Sequence, residues 1–303
     1  MCEELQISAN RPHPAKRSRL RALGPIARLV SMRLEYACST HAQLGAFGMG
    51  GFDEIWRIGG GRIVARHRDR SVVRIEVESG IHAEALYIKR LGRAHFKDIF
   101  ESILSLEWPL SKCLREWKYA RLLKRAGVSG PAILAAGEFR LGPMPLESLL
   151  VVREIEGARS LGDFLSVGSG FIGGHADRRA LAEAVAETVA SMHSAGLFHQ
   201  DLYAKHIFVR RRGGGFAINI IDLQRMKRSR RESLAAKDLA ALNVTLPREA
   251  VSQMDRLRFL VAYASRRWGG HGASKARRLL KRVLKRSHHI GGRRKFRGIR
   301  WCP

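Results

Sequence analysis

Two aspartates, Asp201 and Asp222, each at the edge of a β run and separated by a hairpin, constrain this chain more than any other feature. The segment LFHQDLYAKHIFVRR leads into Gly213-Gly214-Gly215, and FAINIIDLQRM follows. Adjacent glycines supply the positive φ that a tight turn between antiparallel strands requires. Folding the two β runs back on one another brings the two carboxylates side by side. Such a pair can divide the chemistry, one carboxylate accepting or orienting a hydroxyl proton and the other holding a hard divalent cation through oxygen.

Phosphoryl transfer needs those two carboxylates together with a cation on the nucleotide phosphates and a group that positions that cation. Upstream, Ile63-Val64-Ala65, Val72 to Val77 and Ala85-Leu86-Tyr87-Ile88-Lys89 read as β runs of an antiparallel meander. Lys89 ends the last of these. Ser111 to Ala126 carries Leu114, Trp117, Leu122 and Leu123 at roughly helical spacing, stopped by Gly127, which predicts an amphipathic helix bearing Glu116. AILAAGEF and ESLLVVREIEG read as two more strands, the second apolar from Leu149 to Val152 and so central. Beyond Gly157 the pattern turns helical, with a long helix from Asp177 to Gly196 and further helices after Ser233. The expected architecture is α+β: a small lobe of about five antiparallel strands with one helix, then a mainly helical lobe. The expected boundaries are a basic extension over 1–50, lobes over 51–156 and 157–268, and a basic tail over 269–303. Residues 11–33 read as an amphipathic surface helix or a loosely packed segment.

His199-Gln200-Asp201-Leu202 followed by Asp222-Leu223 resembles the H-R-D-L and D-F-G pair of protein kinases, and the strand ending in Lys89 resembles their V-A-I-K strand. The position of the kinase asparagine is taken by His206, and the D-F-G position reads Asp222-Leu223-Gln224-Arg225. With Tyr87-Ile88-Lys89-Arg90, Arg115-Glu116-Trp117 and Lys237-Asp238-Leu239, these residues resemble the lipopolysaccharide core kinase family, which phosphorylates Kdo or heptose sugars, over about 70 to 270. The resemblance implies a two-lobed protein-kinase-like fold, ATP with Mg2+, and a peripheral position on the cytoplasmic face of the inner membrane. It implies Asp201 as the catalytic aspartate, Lys89 on the phosphates with Glu116 holding it, Asp222 on the metal, and structural roles for His199 and Asp238. His206 either orients Asp201 or ligates metal, and nitrogen suits magnesium poorly. Arg225, Lys227 and Arg228 are candidates to clamp an acidic acceptor. Two departures stand out. No G-x-G-x-x-G precedes Lys89, and Gly59-Gly60-Gly61 would cover a nucleotide only in a different strand register. Few residues separate Asp222 from Asp238, leaving little room for a protein-substrate platform.

Charge bears on partners: 55 Lys+Arg against 27 Asp+Glu give a net +28. That excess suits an anionic membrane surface and a lipid-linked acidic saccharide; nucleic acid is a weaker candidate. No apolar run approaches a membrane span, the start lacks a secretory pattern, and the four cysteines stand singly, so a cytoplasmic protein with reduced thiols is expected. The alternatives are a kinase-like enzyme for another small molecule or a protein, and a basic nucleic-acid-binding or scaffolding pseudokinase. A zinc trio of His199, Asp201 and His206 lacks supporting cysteine or H-x-x-x-H ligands.

Overall fold

The computed structural model describes residues 6–8, 30–37, 40–67, 69–79, 82–92, 110–142, 144–166, 174–247, 249–269 and 272–292. The chain divides into two units, Met1–Lys118 with Ala132–Ile155, and Tyr119–Pro131 with Glu156–Pro303.

The first unit is a seven-stranded antiparallel sheet in the order β1-β2-β6-β7-β5-β4-β3. Its strands are β1 (Gln6–Ser8), β2 (Val30–Tyr36), β3 (Arg62–His67), β4 (Arg70–Ser79), β5 (His82–Leu91), β6 (Ala132–Leu141) and β7 (Met144–Arg153). β7 lies between β5 and β6, and Leu149, Leu150, Val151 and Val152 are all buried, as a strand covered on both faces requires. One face, carrying Tyr36, Ile75, Leu86, Ile88, Leu149 and Val151, packs against Leu44 of α1 (Thr40–Ala46) and Phe52 and Ile55 of α2 (Phe52–Arg57). The sheet therefore has two more strands than the sequence pattern suggested. β2 begins inside the segment expected to be helical or loose and runs past its end, and its partner is β6, with Tyr36 opposite Ala135. Residues 11–29 lie outside the described residues.

Gly59-Gly60-Gly61 lead into β3, whereas the β3–β4 turn follows His67, which pairs with Arg70. The glycines thus sit at the far end of the hairpin. Gly61 has a packing reason: at φ +84° a Cβ would lie 2.5 Å from the Arg74 carbonyl oxygen.

The second unit contains the end of α3 (Lys112–Arg125), α4 (Leu161–Leu165), α5 (His175–Ser194), α6 (Glu232–Thr245), α7 (Gln253–Trp268) and α8 (Gly272–Gly291). Short strands join them: β8 (Arg159–Ser160), β9 (Leu197–Phe198), β10 (Ile207–Arg212), β11 (Gly215–Ile220) and β12 (Lys227–Arg228). Its core draws Val185 and Val189 from α5, Leu239 and Leu242 from α6, Tyr263 from α7 and Leu279 and Val283 from α8. α8 occupies much of the segment expected to be a basic tail after 269. Leu279, Val283 and Ile290 are spaced at four and seven residues, so one stripe of an otherwise basic segment is buried. No described helix is long and apolar enough to cross a membrane.

Candidate active site

In the first unit, strand alternation decides where Lys89 points. Ile88 belongs to the apolar core, so Lys89 projects from the other face of β5, flanked in register by Val72 and Leu150. There its Nζ donates to Glu116 Oε1 of α3 at 2.7 Å. The side chains are 16% and 5% exposed, so this pair is screened far less than a surface one. The start of α3 is tied to the same face of the sheet, for Ser111 N donates to the buried Glu138 carboxylate at 3.1 Å.

In the second unit the β10–β11 hairpin places the two aspartates. Gly213 and Gly214 turn at φ 52° and 78°, and Ile207 pairs with Ile220 at the open end. Asp222 leaves β11, and Ile221 N bonds His206 O at 2.9 Å. His206 links the two loops: its Nδ1 is 2.9 Å from the Asp201 carbonyl oxygen and its Nε2 is 3.4 Å from Asp222 Oδ2. Nδ1 must carry the proton to bond a carbonyl, which leaves Nε2 to face Asp222 as an acceptor in the neutral ring. Burial holds this imidazole below its ordinary range.

Each carboxylate has its own attendants. Asp201 Oδ1 accepts from the Tyr203 hydroxyl at 3.2 Å, and Oδ2 pairs with Arg225 Nη1 at 3.0 Å. Asp222 Oδ1 accepts from Gln224 Nε2 at 2.6 Å. Gln200 and Asp222 are the non-glycine residues with positive φ among the described residues, at 71° and 61°. Such conformations cost of order 1–3 kcal/mol each and persist where surrounding bonds over-determine them.

For Gln200 those bonds come from α6. Asp238 is fully buried, and its carboxylate accepts from His199 N at 2.6 Å and Gln200 N at 2.7 Å. His193 of α5 stands 3.3 Å from the same carboxylate, with its other nitrogen 2.9 Å from the Tyr263 hydroxyl. His199 lies with no exposure, its Nε2 2.9 Å from the Ile221 carbonyl oxygen. The backbone around Asp201 is thus held from both sides.

Of the basic candidates, Arg225 touches Asp201, whereas Lys227 and Arg228 form β12 and are exposed. Sequence reading passed over Tyr203, Gln224, His193 and Lys237 as site residues. Only the two-residue spacing of Tyr203 from Asp201 and of Gln224 from Asp222 offered a signal.

A magnesium ion carried by a nucleotide needs one or two protein carboxylates, because phosphates and water fill its remaining positions. Asp222 fits that requirement, with its carboxylate partly exposed. No group of three metal-ligating side chains occurs among the described residues.

The model of the lipopolysaccharide kinase (Kdo/WaaP) family matches residues 54–263. The lipopolysaccharide core heptose(I) kinase WaaP of Pseudomonas aeruginosa is 29% identical over 217 residues, covering 68% of this chain and 78% of that protein. WaaP of Escherichia coli is 26% identical over 209 residues, covering 67% and 77%. A solved structure of WaaP in complex with acyl carrier protein superposes with a TM-score of 0.60 at 24% identity, over 79% of this chain and 92% of that one. The kinase-like fold follows from that likeness.

Proposed function

The chain belongs to the lipopolysaccharide kinase (Kdo/WaaP) family, and on that premise we propose that it transfers the γ-phosphoryl group of ATP to a sugar hydroxyl, Kdo or heptose, of the lipopolysaccharide inner core. The observation that carries the reading is the convergence of Asp201, His206 and Asp222, braced by Asp238. Asp201 orients the acceptor hydroxyl and takes its proton as the new P–O bond forms and the bond to the ADP oxygen breaks. Lys89, held by Glu116, supplies positive charge to the nucleotide phosphates. Asp222 and, through its Nε2, His206 form the metal-facing side, and there Mg2+ would neutralise charge on the phosphates. His206 also fixes the Asp201 loop through its carbonyl, so the imidazole sets the spacing of the two aspartates. The test is transfer of labelled phosphate from ATP to extracted glycolipid. Wild-type protein transfers, and Asp201→Ala and Asp222→Ala, each still folded by circular dichroism, do not; undiminished transfer by either variant rejects the assignment.

A lipid-linked acceptor calls for a position at an anionic bilayer, and the α7–α8 face supports one. On α8, Lys275, Arg277, Arg278, Lys281, Arg282, Lys285 and Arg286 are exposed or partly exposed, and no acidic residue follows Asp255 in the chain. On α7, Met254, Leu257 and Val261 form an exposed apolar stripe, with Leu280 of α8 also exposed. Basic residues near an anionic surface each contribute about 1 kcal/mol, and an apolar stripe adds insertion. A second reading of this face comes from the relative solved with acyl carrier protein. An apolar chamber of about 340 Å3, lined by Leu181, Val185, Leu242, Phe259, Leu260 and Val283, has Leu257 and Leu280 among its further lining residues, and an acyl chain is a ligand that such a chamber fits. The triple variant R277E/K281E/K285E separates the two. On the membrane reading it no longer sediments with phosphatidylglycerol vesicles; unchanged sedimentation together with lost capture of purified acyl carrier protein selects the second.

A further inference from the structure

The residue before the catalytic aspartate carries an unexplained group. Gln200 is 6% exposed, and its side-chain oxygen accepts from Lys237 Nζ at 2.9 Å. An ammonium only donates, so the amide orientation is determined and the NH2 must look elsewhere. That nitrogen is buried and has no hydrogen-bond partner among the described residues. A buried donor left unpaired is destabilising, and here it sits on a backbone already at φ 71°.

The surroundings are cationic. Lys237 is half-buried, and burial first and Arg225 second hold its ammonium below the ordinary range, with Lys227 acting in the same direction. The facing anions are Asp238, whose carboxylate is bonded to the backbone of residues 199 and 200, and Asp201, which Arg225 already pairs at 3.0 Å. A half-buried ammonium in the field of the more exposed Arg225 and Lys227, next to an unpaired donor, is what an anion-binding site looks like before its ligand arrives. The nucleotide phosphates are the other anion in this reaction. Asp222, however, has its own partners in Gln224 and His206, whereas Arg225 bonds Asp201 itself and Lys237 bonds the residue next to it. The donors therefore lie on the acceptor side.

We propose that Lys237, Gln200 and Arg225 form an anion-recognition site beside Asp201 that binds a carboxylate or phosphate of the acceptor saccharide close to the hydroxyl being phosphorylated. The inference rests on the reading of Asp201 as the acceptor-side residue. Lys237 and Gln200 are specificity determinants that touch the acceptor's charged group, and Arg225 moves between Asp201 and that group.

Binding and turnover are measured separately in the full chain. Isothermal titration uses core oligosaccharide that is intact, carboxyl-reduced or dephosphorylated, against wild type, Lys237→Met and Lys237→Arg. Wild type binds the intact saccharide about 10- to 100-fold more tightly than the form lacking the recognised anion, the range expected for charge-assisted hydrogen bonds. The treatment that weakens binding identifies carboxylate or phosphate. Lys237→Met abolishes the difference, Lys237→Arg retains most of it, and neither changes the affinity for ATP. Equal affinity of wild type for all three saccharides, no binding of any of them, or discrimination that survives in Lys237→Met overturns the proposal. A uniform loss for every ligand in Lys237→Met, with Lys237→Arg no better, assigns Lys237 a purely structural role and also overturns it. Turnover reports on the reaction alone: wild type that discriminates between saccharides yet transfers no phosphate refutes the kinase reading and leaves the anion site standing.

Discussion

Replacing Asp238 by asparagine isolates the brace beneath the loop that carries Asp201. Asp238 presents one oxygen to Gln200 N at 2.7 Å and the other to His199 N at 2.6 Å, with no solvent exposure. Asparagine has the same shape and only one acceptor oxygen, so one buried backbone N–H must face an NH2 group. An orphaned buried donor costs about 1–3 kcal/mol, and loss of charge assistance at the surviving bond brings the total to about 2–4 kcal/mol. Against a typical stability of about 5–15 kcal/mol the variant still folds. Function suffers more than stability, because the bond to Gln200 N also restrains that residue at φ 71°. If Gln200 relaxes, Asp201 shifts with it, and a displacement of about 1 Å costs about 100-fold in rate. Urea unfolding followed by tryptophan fluorescence reads the first quantity, and kcat at saturating ATP and acceptor reads the second. An Asp238→Asn protein within about 0.5 kcal/mol of wild type and turning over at the wild-type rate would refute the reasoning.

Three further outcomes are expected. Glu116→Gln removes the charge that holds Lys89, and steady-state kinetics should show KM for ATP raised about ten-fold or more with acceptor KM little changed. His193 is wholly buried, and burial depresses its folded pKa despite Asp238 nearby. The unfolded chain therefore binds the extra proton first, so stability present at pH 7.5 is lost as pH falls below about 6.5, and thermal melts of His193→Gln should lack that part of the slope. Gly61→Ala must place a Cβ against the Arg74 carbonyl at positive φ, and should lower stability by about 1–3 kcal/mol in the same urea assay, with activity per folded molecule unchanged.

What the sequence revealed, and what it hid, follows the range of the interactions. The hairpin between Asp201 and Asp222 is local: three glycines and two β runs encode it, so the chain reversal that sets the Asp201 backbone and the Asp222 carboxylate on either side of His206 is legible from the residues alone. Lys89 and Glu116 were readable as a strand end and a helix position, while the 2.7 Å bond between them needed α3 to pack on the sheet through Ser111 and Glu138. β2 was hidden because VSMRLEY continues a basic stretch and finds its place only by pairing with β6, about a hundred residues later. α8 was hidden for a compositional reason: its lysines and arginines outnumber the apolar residues that are buried, and only their spacing distinguishes the helix from a tail. Lys237 adjoins Asp238 in sequence, yet its partner Gln200 is brought to it by the tertiary fold.

Mass spectrometry of the core saccharide from a strain lacking this chain, complemented with wild type or with Asp201→Asn, tests the central claim most directly. The account predicts that one phosphate on an inner-core sugar disappears in the deletion strain, returns with wild type and stays absent with the variant at equal protein level. A core phosphorylated identically in all three strains would contradict it.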